Sequence, residues 1–137
     1  MSLTYQNAVA EMIKFFNANA PSGVPVIWGS DDPNSPPDNE EWIRFNIRHN
    51  DGFQASMGSP GTNRFERQGI ITIQIFQPEG GHGLGAQNIA DEIVTLYSGA
   101  NDNGIEYFDT FAREVGNDGF GWYQINVVTT FRYEQIT

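Results

Sequence analysis

Arg67 to Ala86 reads RQGIITIQIFQPEGGHGLGA, and the fold turns on how this stretch is read. Its first half alternates, with Ile71, Ile73 and Ile75 on one side and Thr72 and Gln74 on the other. That pattern predicts a strand from about Phe65 to Gln77 with one buried and one wet face. Its second half is a glycine loop leading into a helix. Gly81, Gly83 and Ala86 match the G-x-G-x-x-A pattern, in which backbone amides and a helix N-terminus can hold a pyrophosphate. The context argues against that use. A dinucleotide fold needs a strand buried on both faces before the motif and more chain behind it than remains here. The glycines then serve as a turn in a structural joint, with Ile71, Ile73 and Ile75 packing toward Ile89 and Ile93, and no cofactor is expected.

Downstream of Gly85, a helix is predicted to about Ser98, with Ala86, Ile89, Ala90, Ile93, Val94 and Tyr97 on its apolar side. Upstream, Tyr5, Val9, Met12, Ile13 and Phe16 recur at helical spacing between Leu3 and Asn19, with Ser2 or Thr4 as cap. Ala20 to Gly23 (APSG) ends that helix, and a short strand from Pro25 to Trp28 follows. Gly29 to Asn39 (GSDDPNSPPDN) has no aliphatic residue and reads as a solvated loop. Ile43, Phe45 and Ile47 then alternate with Arg44, Asn46 and Arg48 in a half-wet strand. His49 to Asn63 is rich in Gly, Ser and Asn, and Phe53 to Phe65 is predicted to form a long hairpin arm. Ile105 to Glu114 alternates imperfectly, whereas Tyr123, Ile125, Val127, Thr129, Phe131 and Tyr133 clearly share one face of a last strand. Helix, strands, helix, strands in this order predict a single α+β domain over residues 1–137. Its sheet is antiparallel or mixed, with both helices packed on one face.

A chain of 137 residues can bury roughly 70% of the surface it exposes when unfolded. With no cysteine, it has neither disulfides nor thiol chemistry. No apolar run reaches the roughly 20 residues that span a bilayer, so no membrane association is expected. The N-terminus lacks the pattern of an export signal. Seventeen acidic against seven basic residues give a formal charge of −10. Tight binding to a phosphate backbone depends on clustered Lys and Arg, so a nucleic-acid reader is disfavoured.

No nucleophile with its base is nominated by sequence: G-x-S-x-G, H-E-x-x-H and P-loop patterns are all missing. His49 and His82 stand in no metal-ligand spacing, and the acidic cluster Asp31, Asp32, Asp38, Glu40 and Glu41 fits no EF-hand loop. Neither catalysis nor a metal is therefore expected. Large aromatics and arginines remain as candidates for contacts between proteins. The interface candidates are Asp31, Asp32, Trp42, Arg44, Arg48, Phe53, Arg64 and Arg67.

Two stretches, Pro25 to Ile47 (PVIWGSDDPNSPPDNEEWIRFNI) and Arg67 to Gly83 (RQGIITIQIFQPEGGHG) running into Ala90 to Ile93 (ADEI), give the chain a family likeness. With the helix-first layout, they resemble the tail terminator-like proteins of tailed bacteriophages, which include a phage-related domain family of unassigned function. The resemblance covers most of the chain in order. It implies a sheet with helices on one face and assembly into a ring, typically of six subunits, that caps the tail tube and meets the head. The implied partners are copies of the chain, the tail-tube protein and a head-completion or neck protein, with DNA passing through unbound. The implied location is the virion tail, reached from the host cytoplasm. An acidic chain suits such a channel, since like charge discourages phosphate adhesion, and part of Asp31 to Glu41 is expected to face the lumen or a neighbour. A reading from a different class is a small monomeric module that binds a ligand or protein near Gly80 to Gly85 without catalysis.

Overall fold

A computed structural model describes residues 3–28, 40–50 and 52–137. Helix α1 (Tyr5–Asn19) leads into strands β1 (Val26–Trp28), β2 (Trp42–His49), β3 (Phe53–Gln54) and β4 (Arg64–Pro78). A single 3₁₀ turn (Gly81–Gly83) opens helix α2 (Leu84–Tyr97), and β5 (Asn101–Asp102), β6 (Ile105–Asn117) and β7 (Trp122–Ile136) close the chain. The strands form one curled sheet in the order β1-β2-β4-β7-β6-β5, with β3 pairing β4. All pairings are antiparallel except β1 with β2. This is the α+β architecture expected from the alternation of elements.

Period-two alternation puts the branched residues on one face. Ile43 and Phe45 of β2, Ile71, Ile73 and Ile75 of β4, and Ile125, Val127, Phe131 and Tyr133 of β7 are buried there in one cluster. Both helices cover that face. Ala86, Ile89, Ala90, Ile93 and Tyr97 are the buried stripe of α2, as their spacing predicts. For α1 the expectation needs correction, because the buried residues are Ala8, Met12 and Phe16, whereas Tyr5 is 63% exposed. Tyr5, Val9 and Ile13 instead line one side of an open groove whose other wall is Trp28, Phe45 and Ile47. The helix therefore turns a three-residue stripe to the core and part of its apolar surface to the groove. Of the two candidate caps, Thr4 serves, its hydroxyl accepting from the Asn7 amide at 3.2 Å.

Three local features escape the alternation pattern. Strands β3 and β5 have two residues each, too few for a periodicity. A register shift between Tyr107 and Thr110 inserts an extra residue into β6. His49, expected in a loop, closes β2. The long hairpin is β2 and β3 against β4, with an exposed connection between, and its far end is tied to the C-terminus by paired bonds between Asn63 and Thr137 at 3.1 and 2.9 Å.

One glycine is dictated by close packing. A Cβ on Gly69 of β4 would stand 2.2 Å from the Arg48 carbonyl oxygen and 2.6 Å from Cζ of Phe131. The Phe131 ring thus fills the place of a side chain at the edge of the core. Gly69→Ala is expected to cost about 1–3 kcal/mol by overpacking, read as a lower midpoint of urea unfolding. An unchanged midpoint would show that the ring and the strand can yield.

Candidate functional site

The sheet has a second face that no described helix covers. Register assigns the even-numbered residues of β2 and β4 and their β7 partners to it, including Arg44, Asn46 and Arg48, Gln74, and Gln124 and Asn126. The amides are joined there: Asn46 donates to Gln74 at 3.3 Å and Gln124 to Asn126 at 2.7 Å. At one end lies an aromatic group in which Trp42 stacks on Phe76 with centroids 4.2 Å apart and meets Trp122 edge-on at 6.1 Å. At the other, Arg132 donates to Glu66 and, at 3.1 Å, to Glu106, and lies 3.5 Å from Glu134. These carboxylates hold the Arg132 guanidinium above its ordinary pKa, led by the hydrogen bond to Glu66.

The interface candidates divide on this map. Arg44, Arg48, Arg64, Phe53 and Trp42 share the uncovered face. Trp42 is only 5% exposed, packed in the aromatic group with the Arg44 guanidinium 5.7 Å from its ring. Phe53 on β3 is 54% exposed, and Arg48 and Arg64 are also exposed. Arg67 needs correction, since it faces Tyr133 on the helix-bearing side instead of the wet one. There its Nε donates to Gln135 at 3.2 Å. Asp31 and Asp32, like most of the acidic loop, lie outside the described residues. With Arg113, paired to Asn126, and Arg132, five of the six arginines occupy the uncovered face or its margin. Among the described residues, only Arg132 is in an ion pair.

The β6 margin was not nominated by sequence. Strand β5 covers only Ile105 and Glu106, and Tyr107 donates to the Ala100 carbonyl. From Phe108 onward no described strand pairs the outer edge of β6, on which Phe108, Phe111 and Val115 are 41–52% exposed. Its sequence signal was the imperfect alternation of FDTFAREV.

The glycine loop is packed by the protein's own groups. Gln77 accepts from the Ala86 amide at 2.7 Å and donates to the Gly80 carbonyl at 3.1 Å, closing the α2 N-terminus. Gly83, at φ 72°, lies so close to the Tyr123 ring that a Cβ would approach within 2.6 Å, and the Glu41 carboxylate abuts Gly85. An anion entering there would meet that carboxylate, so the arrangement suits a joint better than a cradle. A shallow depression lined by His82, Tyr123 and Asn117 remains beside it. No group of three or more His, Asp or Glu capable of holding a metal occurs among the described residues.

A polar cluster sits at the end of the covered face. His49 Nε2 and the Tyr133 hydroxyl lie 2.7 Å apart, Tyr5 rests on the imidazole with centroids at 4.3 Å, and Phe131 meets it edge-on. Burial, and then the Arg67 charge, lower the His49 pKa from its ordinary 6.5. Burial likewise raises that of Tyr133. Among the described residues His49 Nδ1 has no hydrogen-bond partner, so no described carboxylate orients the ring as a catalytic constellation would require.

No family model matches the chain, and no curated protein matches it. A solved structure without a functional name resembles it over 96% of both chains, with a TM-score of 0.69 and 15% identity. At that identity the likeness is one of fold alone. No described helix is long and apolar enough to cross a membrane.

The His49 cluster has a measurable consequence. Below pH 6.5 the unfolded chain takes up this proton more readily than the folded one, so the contribution is complete above 6.5 and lost as pH falls through the lowered value. Stability from about pH 7 to pH 5 should therefore fall more steeply for the wild type than for His49→Gln. Parallel urea-unfolding profiles for the two proteins would contradict this.

Proposed function

We propose that the chain is a structural subunit of a phage tail, a tail terminator or head-tail joining protein that acts through ring assembly and not through catalysis. The observation that carries this reading is the distribution of charge: Arg44, Arg48, Arg64 and Arg113 lie on or beside the open sheet face with no ion pair among the described residues, while Arg132 there is offset by Glu66, Glu106 and Glu134, in a chain of net charge −10. An uncovered face of this kind suits contact with an acidic neighbour, and the acidic remainder of each copy supplies one. Contacts of different patches on adjacent copies generate rings when the rotation closes. The likeness of Pro25 to Ile47 and Arg67 to Gly83 to tail terminator-like proteins supplies the identity of the ring. The implied partners are the tail-tube protein and a neck protein, with DNA passing through a channel whose acidic walls discourage phosphate adhesion.

The competing reading, a monomeric module with a ligand near Gly80 to Gly85, meets a loop already packed by Gln77, Tyr123 and Glu41. The two are separated by sedimentation of the chain alone, with divalent cations and with purified tail tubes, followed by electron microscopy of the tube ends. Rings seated on the ends are expected. A chain that stays monomeric in every mixture and leaves the ends bare would overturn the tail reading.

A further inference from the structure

The free edge of β6 carries an inference that goes beyond the ring. Ten residues past β5, from Phe108 to Asn117, offer outward backbone groups that no described strand pairs. Such an edge templates pairing with another strand, and folded proteins usually shorten, cover or charge it. Here it is long, and it presents Phe108, Phe111 and Val115 to solvent. It is also held in shape. The Thr110 hydroxyl, buried at the bulge, lies 2.8 Å from the Thr129 hydroxyl and 3.1 Å from the Phe108 carbonyl.

We infer that this edge is a docking site for the same edge of a second copy, joined antiparallel about a two-fold axis at Phe111. The occupant follows from the order of charges. Thr110 turns inward with Thr129, so its neighbours Asp109 and Phe111 turn away from the core, and Arg113, opposite Asn126, lies on the same side as Phe111. A two-fold axis through Phe111 places it against its symmetry mate, and it places Asp109 opposite the partner's Arg113 and Arg113 opposite the partner's Asp109. One register thus makes two ion pairs around an aromatic contact, the kinds of cross-strand pair that stabilise sheets. The Arg113 guanidinium already stands 5.8 Å from the Phe111 ring, within reach of that position. Among the described residues neither Asp109 nor Arg113 is in an ion pair within its own chain.

The limits of the edge agree with this register. Pairing about Phe111 uses Phe108 to Glu114 of each copy. It begins just after β5 stops covering β6 and ends at the second register shift, between Glu114 and Gly116. The contact is isologous, whereas a ring closes through unlike patches, so this surface is distinct from the one that would build a ring. Seven residues per copy make a small interface and hence a weak, concentration-dependent dimer.

The test is a charge swap read by sedimentation equilibrium. D109R sets like charges opposite each other, as does R113D, and each is expected to raise the dimer dissociation constant at least about tenfold. The double variant D109R/R113D restores opposite charges and should dimerise again. An equimolar mixture of the two single variants should form a mixed dimer, because every charge then meets its opposite. Matching melting temperatures establish that the variants are folded. For the wild type alone, amide exchange over Phe108 to Glu114 should slow as concentration rises. A wild type that is monomeric to about 1 mM, or an association that neither single variant weakens, overturns the inference. Because a ring would use other patches, a wild type that caps tube ends but shows no dimer weakened by D109R or R113D would sink this contact while leaving the tail reading standing, and charge-swap-sensitive dimers that never cap tubes would do the reverse.

Discussion

The rest of the structure depends on one register. Strands β4 and β7 pair without interruption from Arg64 with Ile136 to Pro78 with Trp122. Side chains alternate with a period of two, so a slip of one residue would exchange the two faces of the sheet. Ile71, Ile73 and Ile75 would lose α1 and α2, and Thr72 and Gln74 would be forced beneath them. Burial of a branched aliphatic side chain is worth roughly 1.5–3 kcal/mol, so several such residues specify the register strongly. The same alternation then fixes, at no further cost, where the arginines stand.

How much of this is legible in the sequence depends on strand length. The 15-residue strands β4 and β7 show several cycles of alternation, and α2 shows a full apolar stripe. Their faces can be read directly. Even the place of Arg67 is readable, since it has the parity of Ile71 and Ile73 once the strand is carried back to Arg64. Strands β3 and β5 are set by tertiary pairing and leave no pattern. In β6 the bulge after Tyr107 breaks the alternation, and the free edge hides behind what looks like a weak strand. The role of Tyr5 is equally illegible, because helical spacing alone does not say whether an apolar residue meets the core or the rim of a groove.

The glycine loop shows why motif and context must be weighed together. Gly81, Gly83 and Ala86 have the spacing of a phosphate-binding turn, yet the physical needs of the turn account for them. Gly80, Gly81, His82 and Gly83 all have positive φ, which glycine adopts freely and histidine only at some strain. The ring of Tyr123 then leaves no space for a side chain at Gly83. Gln77, at the end of the strand, reaches across to bond both the Gly80 carbonyl of the turn and the Ala86 amide in the first turn of α2. Its side chain thus does for the helix what a phosphate oxygen would do in a nucleotide site. A half-wet strand makes this possible, because its last inward position can carry a polar residue where a doubly covered strand would carry an aliphatic one.

Charge and apolar surface on β6 can be reconciled in one argument. Charged residues on a sheet edge normally guard against indiscriminate pairing, and Asp109, Arg113 and Glu114 would suffice to repel most strands. Exposed aromatics work in the opposite sense, since they reward any contact that removes them from water. An edge carrying both is selective: only a strand with the opposite charges at matching positions gains the aromatic contact without stranding a charge. The reversed copy of the edge itself meets that condition, and the bulge that Thr110 secures keeps Asp109 and Phe111 in step. Guarding the edge and choosing its partner are then one property of the same few side chains.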